Sequence, residues 1–376
     1  MHYLDNAATT AVADAVAGVA CRVLREHFAN PSSLYAPGAR SEEVIETARE
    51  AVAESLGARP GEVVFTSCGT DGDNMAVFGA AKARRAWADH IVATGYEHPA
   101  VQNAVAALQQ EGWRVTLVQP DGTGCVSLQA LVDAVGPKTA LVAAMHMNNE
   151  VGSVLDVAAL AARVKQKNSR TFVHVDGVQA WGKLPLRLRE TQIDSYAVSG
   201  HKVHAPKGVG ALYVRSGANL APVWRGGHQE RGLRPGTQNT AFFAALGQAA
   251  QMLDVAAMNE VCAGLSARLW QGLAQIEGVV RNSPPGGHPA IANFSVPGIR
   301  SETMLHFLEA RDVYVSSGSA CSKGEASHTL SAMGLAKERI DSAVRVSFSA
   351  HSTPADVDAL LAGVAEGVKS LARARR

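Results

Sequence analysis

The chain has 376 residues, of which 47% are hydrophobic and 18% are charged, as expected for a globular protein with one or two buried cores. Its formal net charge is +1, so composition gives no reason to expect a nucleic-acid partner. The N-terminus lacks the basic leader and apolar core of a signal peptide, and no apolar run is long enough to span a bilayer. These features predict a cytoplasmic protein with neither a nucleic-acid nor a membrane partner.

An amphipathic helix is predicted over residues 41–56, where apolar side chains recur at helical spacing before Gly57. Short apolar runs then alternate with helical stretches, at 62–67, 91–94, 115–118, 140–147, 172–175 and 193–198. This alternation predicts a mostly parallel sheet flanked by helices, an α/β fold.

The pattern changes after about residue 250. A long helix is predicted over 245–276, followed by a strand at 292–296, a helix after Ser301, strands around Val313 and Val344, and a helix beginning at Thr353-Pro354. We therefore predict a large domain over residues 13–250 and a smaller α+β domain formed by residues 1–12 and 251–376.

Five cysteines, odd in number and without a C-x-x-C pair, do not predict disulfides or a cysteine-rich zinc site. All except Cys321 are expected to be small buried core residues. Cys321 instead follows Ser316-Ser317-Gly318-Ser319-Ala320, a run of small residues typical of an exposed loop, where a thiol can react.

Polar residues follow two predicted strands, at the sheet edge where α/β proteins bind ligands. Asp176 ends one strand, and Ser199, Gly200, His201 and Lys202 follow the other. A lysine amine and a carboxylate at neighbouring strand ends suit pyridoxal phosphate, which bonds covalently to lysine and needs an acid at its ring nitrogen. A structural salt bridge is the alternative.

Gly69 and Thr70 stand between the strand 62–67 and a helical stretch, so their backbone N–H groups are expected to face an anion, here the cofactor phosphate. Simple N-capping is the alternative. Ser199 and His201 are further phosphate donors in this interpretation. His98 follows another strand, where its imidazole could stack on the cofactor ring and move protons.

Eight motifs in order along the chain resemble the cysteine desulfurases of the NifS/IscS-like class. They occupy residues 3–10, 30–33, 97–101, 148–152, 174–180, 199–202, 231–237 and 316–321. The resemblance implies the aminotransferase-like fold of fold-type I pyridoxal-phosphate enzymes. It also implies pyridoxal 5'-phosphate as cofactor, L-cysteine as substrate, a homodimer, and a sulfur-acceptor or scaffold protein as partner, as in iron–sulfur cluster assembly or tRNA thiolation.

The resemblance also assigns roles to residues. Lys202 would carry the cofactor, with Asp176 at the ring nitrogen, Gln179 at the ring hydroxyl and His98 stacked on the ring. The phosphate would be held by Thr70, Ser199 and His201, and by Thr237 of the other subunit.

Arg345, with Asn149 beside it, would clamp the substrate carboxylate, a task suited to a planar guanidinium. Cys321 would take the substrate sulfur as a persulfide and leave alanine. Together with Lys202 and His98, it completes the predicted catalytic set.

Several positions depart from the family pattern: Cys68-Gly69, His204-Ala205, Pro235, Ser349 and a short segment after Cys321. Selenocysteine lyase, cysteine-sulfinate desulfinase and aminotransferase activities are alternatives on the same fold. A metal-binding protein using His174, Asp176, His201 and His204 is another, although no metal is predicted. A non-catalytic sulfur-transfer scaffold and a nicotinamide-dependent dehydrogenase at Gly208-Val209-Gly210 are the remaining ones.

Overall fold

A computed structural model describes residues 1–317 and 326–371 of the chain. The strands are β1 (His2–Tyr3), β2 (Val63–Thr66), β3 (His90–Thr94), β4 (Arg114–Val118), β5 (Thr139–Met145), β6 (Phe172–Asp176), β7 (Ser195–Ser199), β8 (Gly210–Val214), β9 (Val280–Arg281), β10 (Ile291–Ser295), β11 (Val313–Tyr314) and β12 (Ala343–Ser347).

The helices are α1 (Asp14–Glu26), α2 (Ala36–Ser55), α3 (Gly69–Arg84), α4 (Pro99–Gln110), α5 (Leu128–Ala134), α6 (Val157–Lys167), α7 (Thr240–Gln251), α8 (Val255–Leu273), α9 (Ser301–Glu309), α10 (His328–Ala332), α11 (Lys337–Asp341) and α12 (Pro354–Ser370). Short 3-10 turns occupy Pro60–Glu62, Leu188–Glu190, Gly200–Lys202 and Gln229–Gly232.

Seven strands form the central sheet in the order β2-β8-β7-β6-β5-β3-β4. All neighbours are parallel except β8, which runs antiparallel to both β2 and β7. The predicted mostly parallel sheet with flanking helices is confirmed. Every residue of β5, β6 and β7 is buried, which explains why these strands are continuous apolar runs in the sequence.

The direction of β8 decides where the site forms. Because β8 opposes both of its neighbours, β2 runs in the same direction as β7 and β6. The turn after β2, Asp176 at the end of β6 and Lys202 after β7 therefore meet at one edge of the sheet. The sequence did not predict β8.

A second, smaller group of elements follows residue 251. Strands β9, β10 and β12 form an antiparallel sheet, and β1 pairs in parallel with β11. Helices α8, α9 and α12 pack in this region, whose buried side chains form a core separate from the one around the central sheet. Leu4 lies in this second core, so the N-terminal residues pack with the C-terminal part of the chain.

Two predictions about this framework are wrong. The single helix predicted over 245–276 is two helices, α7 and α8, bent by 70°. Asp254 breaks the run because its side chain accepts the Ala257 N–H and starts a new helix. The second error concerns cysteines: Cys262 is buried as expected, but Cys21 and Cys125 are exposed.

No single helix in residues 1–317 and 326–371 has the length and apolar character needed to cross a membrane. Helices α7 and α8 taken together, with the 70° bend between them, have the required length and apolar composition.

Candidate active site

A cavity of about 190 Å³ opens at the sheet edge where β2, β6 and β7 end. It gathers most of the residues that the sequence singled out. Its lining includes Gly69, Thr70, His98, Asn149, Asp176, Gln179, Ser199, His201, Lys202 and Arg345. Residues distant in sequence are thus brought into one crevice by strand direction.

The N-terminus of α3 forms one wall of the cavity. A Cβ added to Gly69 would lie 2.5 Å from Cγ2 of Val178, so a larger residue at this position would require the Val178 side chain to move. Asp71, also in the first turn, accepts hydrogen bonds from the Ser67 backbone N–H at 2.9 Å and pairs with Arg234 at 3.2 Å. Because Arg234 compensates that carboxylate, the helix N-terminus stays suited to an anion such as a phosphate.

Asp176 stands at the end of β6 and is 4% exposed. Its Oδ1 accepts the Val178 N–H at 2.9 Å. Burial raises the pKa of this carboxyl, whereas the nearby His98 and Lys202 oppose the rise. A cationic N–H placed against Asp176 would hold the carboxylate in its charged form.

Two further buried acids, Asp73 and Glu97, were given no role by the sequence reasoning. Asp73 lines the cavity and lies 3.1 Å from Nε2 of His174. Burial raises the pKa of Asp73 well above its ordinary value and that of Glu97 to about 8, with the Asp176 charge adding to both. At neutral pH Glu97 therefore holds a proton, and burial disfavours the charged form of Asp73. Helical spacing could have found Asp73, since it lies one turn after Gly69.

His98 caps α4, and its Nδ1 accepts the Ala100 N–H at 3.2 Å. In the neutral imidazole the proton is therefore on Nε2. Burial lowers the pKa of His98, and the charge of Lys202 lowers it further against the opposite effect of Asp176. The neutral form is favoured, as suits a ring that stacks on an aromatic cofactor.

Lys202 follows β7 at the end of a 3-10 turn. Its Nζ donates to the carbonyl oxygens of Ala7 at 2.6 Å and Ala8 at 2.7 Å, so the N-terminal segment positions the amine. Nδ1 of neighbouring His201 lies 3.2 Å from the Thr9 hydroxyl. Burial and nearby cations lower the pKa of His201 to about 4, so it can offer a hydrogen bond but not a charge.

Arg345, in β12, lies on the other side of the cavity and is 1% exposed. Its guanidinium donates to Oδ1 of Asp5 at 2.7 Å and to the backbone oxygen of Asn149 at 3.1 Å. Asp5 is a functional candidate that the sequence reasoning missed, although it lies in the 3–10 motif. Its carboxylate already pairs with the guanidinium that a substrate carboxylate would use.

Two predicted site residues are absent from the described lining of this cavity, for different reasons. Thr237 is exposed and does not line it. Cys321 lies outside the described residues. The described residues on either side of it are anchored by hydrogen bonds. Ser316 exchanges backbone hydrogen bonds with Arg345 at 2.7 and 3.1 Å. The Ser327 hydroxyl donates to the Glu150 carboxylate at 2.5 Å.

Three of the residues that depart from the family pattern have surroundings that the structure describes. Cys68 lines the cavity beside Gly69. His204 has a φ of 62°, a left-handed conformation uncommon for histidine, and its ring packs edge-on against His351 at 4.9 Å. The Ser349 N–H donates to the Ser352 hydroxyl at 3.0 Å, which forms a turn without glycine.

Unpartnered polar atoms test whether pyridoxal phosphate fits. Among the described residues, Oγ of Ser199, Oε1 of Gln179 and Nε of Arg345 are buried without a hydrogen-bond partner, and all three residues line the cavity. Buried polar atoms are normally paired, so each needs a ligand atom. A phosphate, a ring hydroxyl and a substrate carboxylate supply such atoms, and the residues fit the cofactor.

The metal-binding alternative finds no support in the same region. The described part of the chain contains no group of three or more His, Cys, Asp and Glu side chains placed to hold a metal ion. His174 instead bonds the Ser195 hydroxyl at 2.8 Å and Asp73. Both of its ring nitrogens are therefore engaged.

Comparison with known proteins gives the same fold and family. The class-V aminotransferase model matches residues 2–360. The chain is 40% identical to cysteine desulfurase 2 of Trichormus variabilis over 96% of this chain and 91% of that one. A solved NifS-like protein has a TM-score of 0.93 at 35% identity, covering 98% of this chain and 99% of that one.

A solved complex of SspA with cysteine is also similar, with a TM-score of 0.83 and 31% identity over 94% of this chain and all of that one. These matches extend over nearly the whole length of both partners and include both cores. The chain therefore belongs to the cysteine desulfurases of the class-V aminotransferase family, which are pyridoxal-phosphate enzymes.

Proposed function

We propose that this chain removes sulfur from L-cysteine, leaving L-alanine and a persulfide on Cys321. One observation carries the proposal: a single cavity joins Lys202, Asp176 and His98 to the buried Arg345. The names of the relatives favour this activity over the selenocysteine lyase, cysteine-sulfinate desulfinase and aminotransferase alternatives.

The cofactor would be held by residues from four elements. Gly69, Thr70, Ser199 and His201 would bind the phosphate, while Gln179 would meet the ring hydroxyl and Asp176 would keep the ring nitrogen protonated. When bound through Lys202, pyridoxal phosphate supplies a cationic ring that stores the electrons released at the substrate α-carbon.

The substrate carboxylate would bind the Nε side of Arg345, where a buried donor has no partner among the described residues. Asn149 supports the guanidinium from its backbone oxygen. The Lys202 amine would then move the α-proton, held in place by the carbonyls of Ala7 and Ala8. His98 would hold or release a proton at Nε2, since its Nδ1 is occupied by the backbone.

Sulfur transfer requires a second thiol. The Cys321 thiolate would attack the substrate sulfur, forming an S–S bond as the carbon–sulfur bond breaks. The electron pair of the broken bond stays with the carbon skeleton, which takes up protons and leaves as alanine. The persulfide would then pass to a sulfur-acceptor or scaffold protein in the cytoplasm.

Two variants and a matched control test these roles. Lys202→Ala should lose the borohydride-stable label on the peptide containing residue 202. Cys321→Ser should keep the bound cofactor but form no persulfide or alanine, as measured by alkylation mass spectrometry and amino-acid analysis. Cys125→Ser, at an exposed cysteine outside the cavity, should behave like the wild type. Persulfide formation at the wild-type rate in Cys321→Ser would overturn the assignment.

A homodimer would complete the site. Thr237 is exposed outside the cavity of its own subunit, where a residue of a partner subunit could be contacted. Thr237 would reach the cofactor phosphate of the partner.

Mixed dimers test the shared site. A dimer of one Lys202→Ala and one Thr237→Val subunit would contain one site with both wild-type residues. Half of its sites should therefore bind the cofactor with wild-type affinity, although Thr237→Val homodimers bind it weakly. Uniformly weak binding in the mixed dimer, or a monomer in light scattering, would contradict the shared site.

A further inference from the structure

A second cavity, of about 160 Å³, lies between the two buried cores. It is lined by Trp181 and Ala249 from the first core and by Met258 and Phe348 from the second. A volume of this size admits several waters or one small organic molecule. Among the described residues it shares only Lys202 with the lining of the cofactor cavity, and none of the roles proposed above uses this second cavity.

Lys183 lines this cavity and is 5% exposed. Within residues 1–317 and 326–371, its Nζ has neither a hydrogen-bond acceptor nor a carboxylate at ion-pair distance. Burial lowers the pKa of Lys183 to about 8, so the amine is still mostly protonated at pH 7. A buried ammonium without a partner is costly, and an anion would remove that cost.

No carboxylate in the described lining of this cavity is paired with Lys183. Asp254 lines the cavity, but it is exposed and its Oδ1 accepts the Ala257 N–H. Burial raises the pKa of the Cys262 thiol to about 11, so this neighbour is neutral. The other titratable groups facing this region are His204, His288, His351 and Lys202.

Two of these histidines, His204 and His288, add no permanent charge of either sign. Burial lowers the pKa of His204, and it lowers that of His288 to about 4. Nε2 of His288 lies 3.2 Å from the backbone oxygen of Lys183, and Nδ1 of His204 lies 2.9 Å from that of Ala11. Lys202, the other lysine of the described lining, donates to the Ala7 and Ala8 carbonyls, which leaves Lys183 as the ammonium available to an anion.

Most of the remaining lining is hydrocarbon, and its polar side chains Asn6, Thr10 and Ser349 are hydrogen-bonded to other residues. Nε1 of Trp181 donates to the Ser55 hydroxyl at 3.1 Å, so the indole presents only its apolar surface to the cavity. Leu253, Met258 and Phe348 complete this apolar surface. Strongly hydrated inorganic anions would lose their water here without compensation, whereas a short hydrocarbon chain gains by burial.

We propose that this cavity binds a small aliphatic monocarboxylate, with the carboxylate against the Lys183 ammonium and the hydrocarbon against Trp181, Leu253 and Met258. Binding requires the protonated lysine. The affinity is therefore constant below pH 8 while the ligand is ionised, and it falls tenfold for each pH unit well above 8.

The probe is 4,4,4-trifluorobutyrate, titrated into the holoenzyme at constant ionic strength and followed by ¹⁹F NMR line width. The neutral 4,4,4-trifluorobutyramide is the matched ligand control. Lys183→Met keeps the length of the side chain but removes its charge, and Lys337→Met, at an 84% exposed side chain, is the matched protein control.

We expect the carboxylate to bind at least tenfold more tightly than the amide, and Lys183→Met but not Lys337→Met to lose this preference. Binding of the carboxylate at Arg345 in the cofactor cavity would be unchanged in Lys183→Met, so this variant distinguishes the two sites. Equal binding of the carboxylate by Lys183→Met and the wild type would overturn the proposal. The wild-type pH profile is a second test that needs no variant, and an affinity unchanged between pH 7 and pH 9.5 would also overturn it.

Discussion

Replacing Lys183 with methionine should stabilise the folded protein at pH 7 in buffer free of carboxylates. Burial lowers the pKa of Lys183 from its ordinary 10.5 to about 8 in the folded state. That difference between the folded and unfolded chains corresponds to about 3 kcal/mol of lost stability at pH 7. Methionine keeps the hydrocarbon contacts and removes this penalty.

The direction of the pH dependence follows from the same shift. Between pH 8 and 10.5 the unfolded chain binds the Lys183 proton and the folded chain does not, so wild-type stability gains from this group as the pH rises. The variant lacks the titrating group. Its advantage over the wild type should therefore be greatest at pH 7 and vanish near pH 10.5.

Urea unfolding followed by circular dichroism at pH 7 and pH 9.5 measures both effects. Lys337→Met should change stability by no more than about 0.5 kcal/mol, because its exposed ion pair with Asp341 contributes little. The reasoning is refuted if Lys183→Met is less stable than the wild type at pH 7, or if its advantage is the same at both pH values.

Three further predictions concern the active site. Gly69→Ala places a Cβ 2.5 Å from Val178 and should weaken cofactor binding at least tenfold in an absorbance titration, whereas Gly61→Ala, with nothing within 4 Å, should not. Glu97→Gln should bind the cofactor normally at pH 7. Burial raises the Glu97 pKa from 4.5 to about 8, so between these pH values the folded chain binds a proton that the unfolded chain does not. The stability of the wild type should therefore fall relative to the variant from pH 5 to pH 8. Arg345→Lys should raise the KM for cysteine more than tenfold while the cofactor stays bound, since an ammonium cannot replace the guanidinium contacts.

Each of these has a result that would contradict it. Equal cofactor affinity in Gly69→Ala and Gly61→Ala would show that the close approach to Val178 is unimportant. A stability difference between Glu97→Gln and the wild type that does not change with pH would place a carboxylate, not a carboxylic acid, at this position. An unchanged KM in Arg345→Lys would assign the substrate carboxylate to another group.

The short motifs of the sequence were sufficient to predict most of the cavity. Asp176 and Lys202 could be found because each follows an apolar strand, and Gly69 because it starts a helix directly after one. Asp5 and Lys183 could not be found in this way. Their importance comes from contacts with distant parts of the chain: Asp5 with Arg345, and Lys183 with both buried cores.

The sequence by itself determined the strands of the central sheet except β8, the family and the chemistry at the strand ends, because apolar runs, glycine turns and short motifs are local properties of the chain. The tertiary structure decided the break between α7 and α8, the antiparallel position of β8 and the protonation of Glu97. These depend on which segments pack together and how completely they exclude water. Burial raises the pKa of Glu97 and lowers that of Lys183. The burial of a side chain is a property of the folded chain and cannot be read from the residue alone.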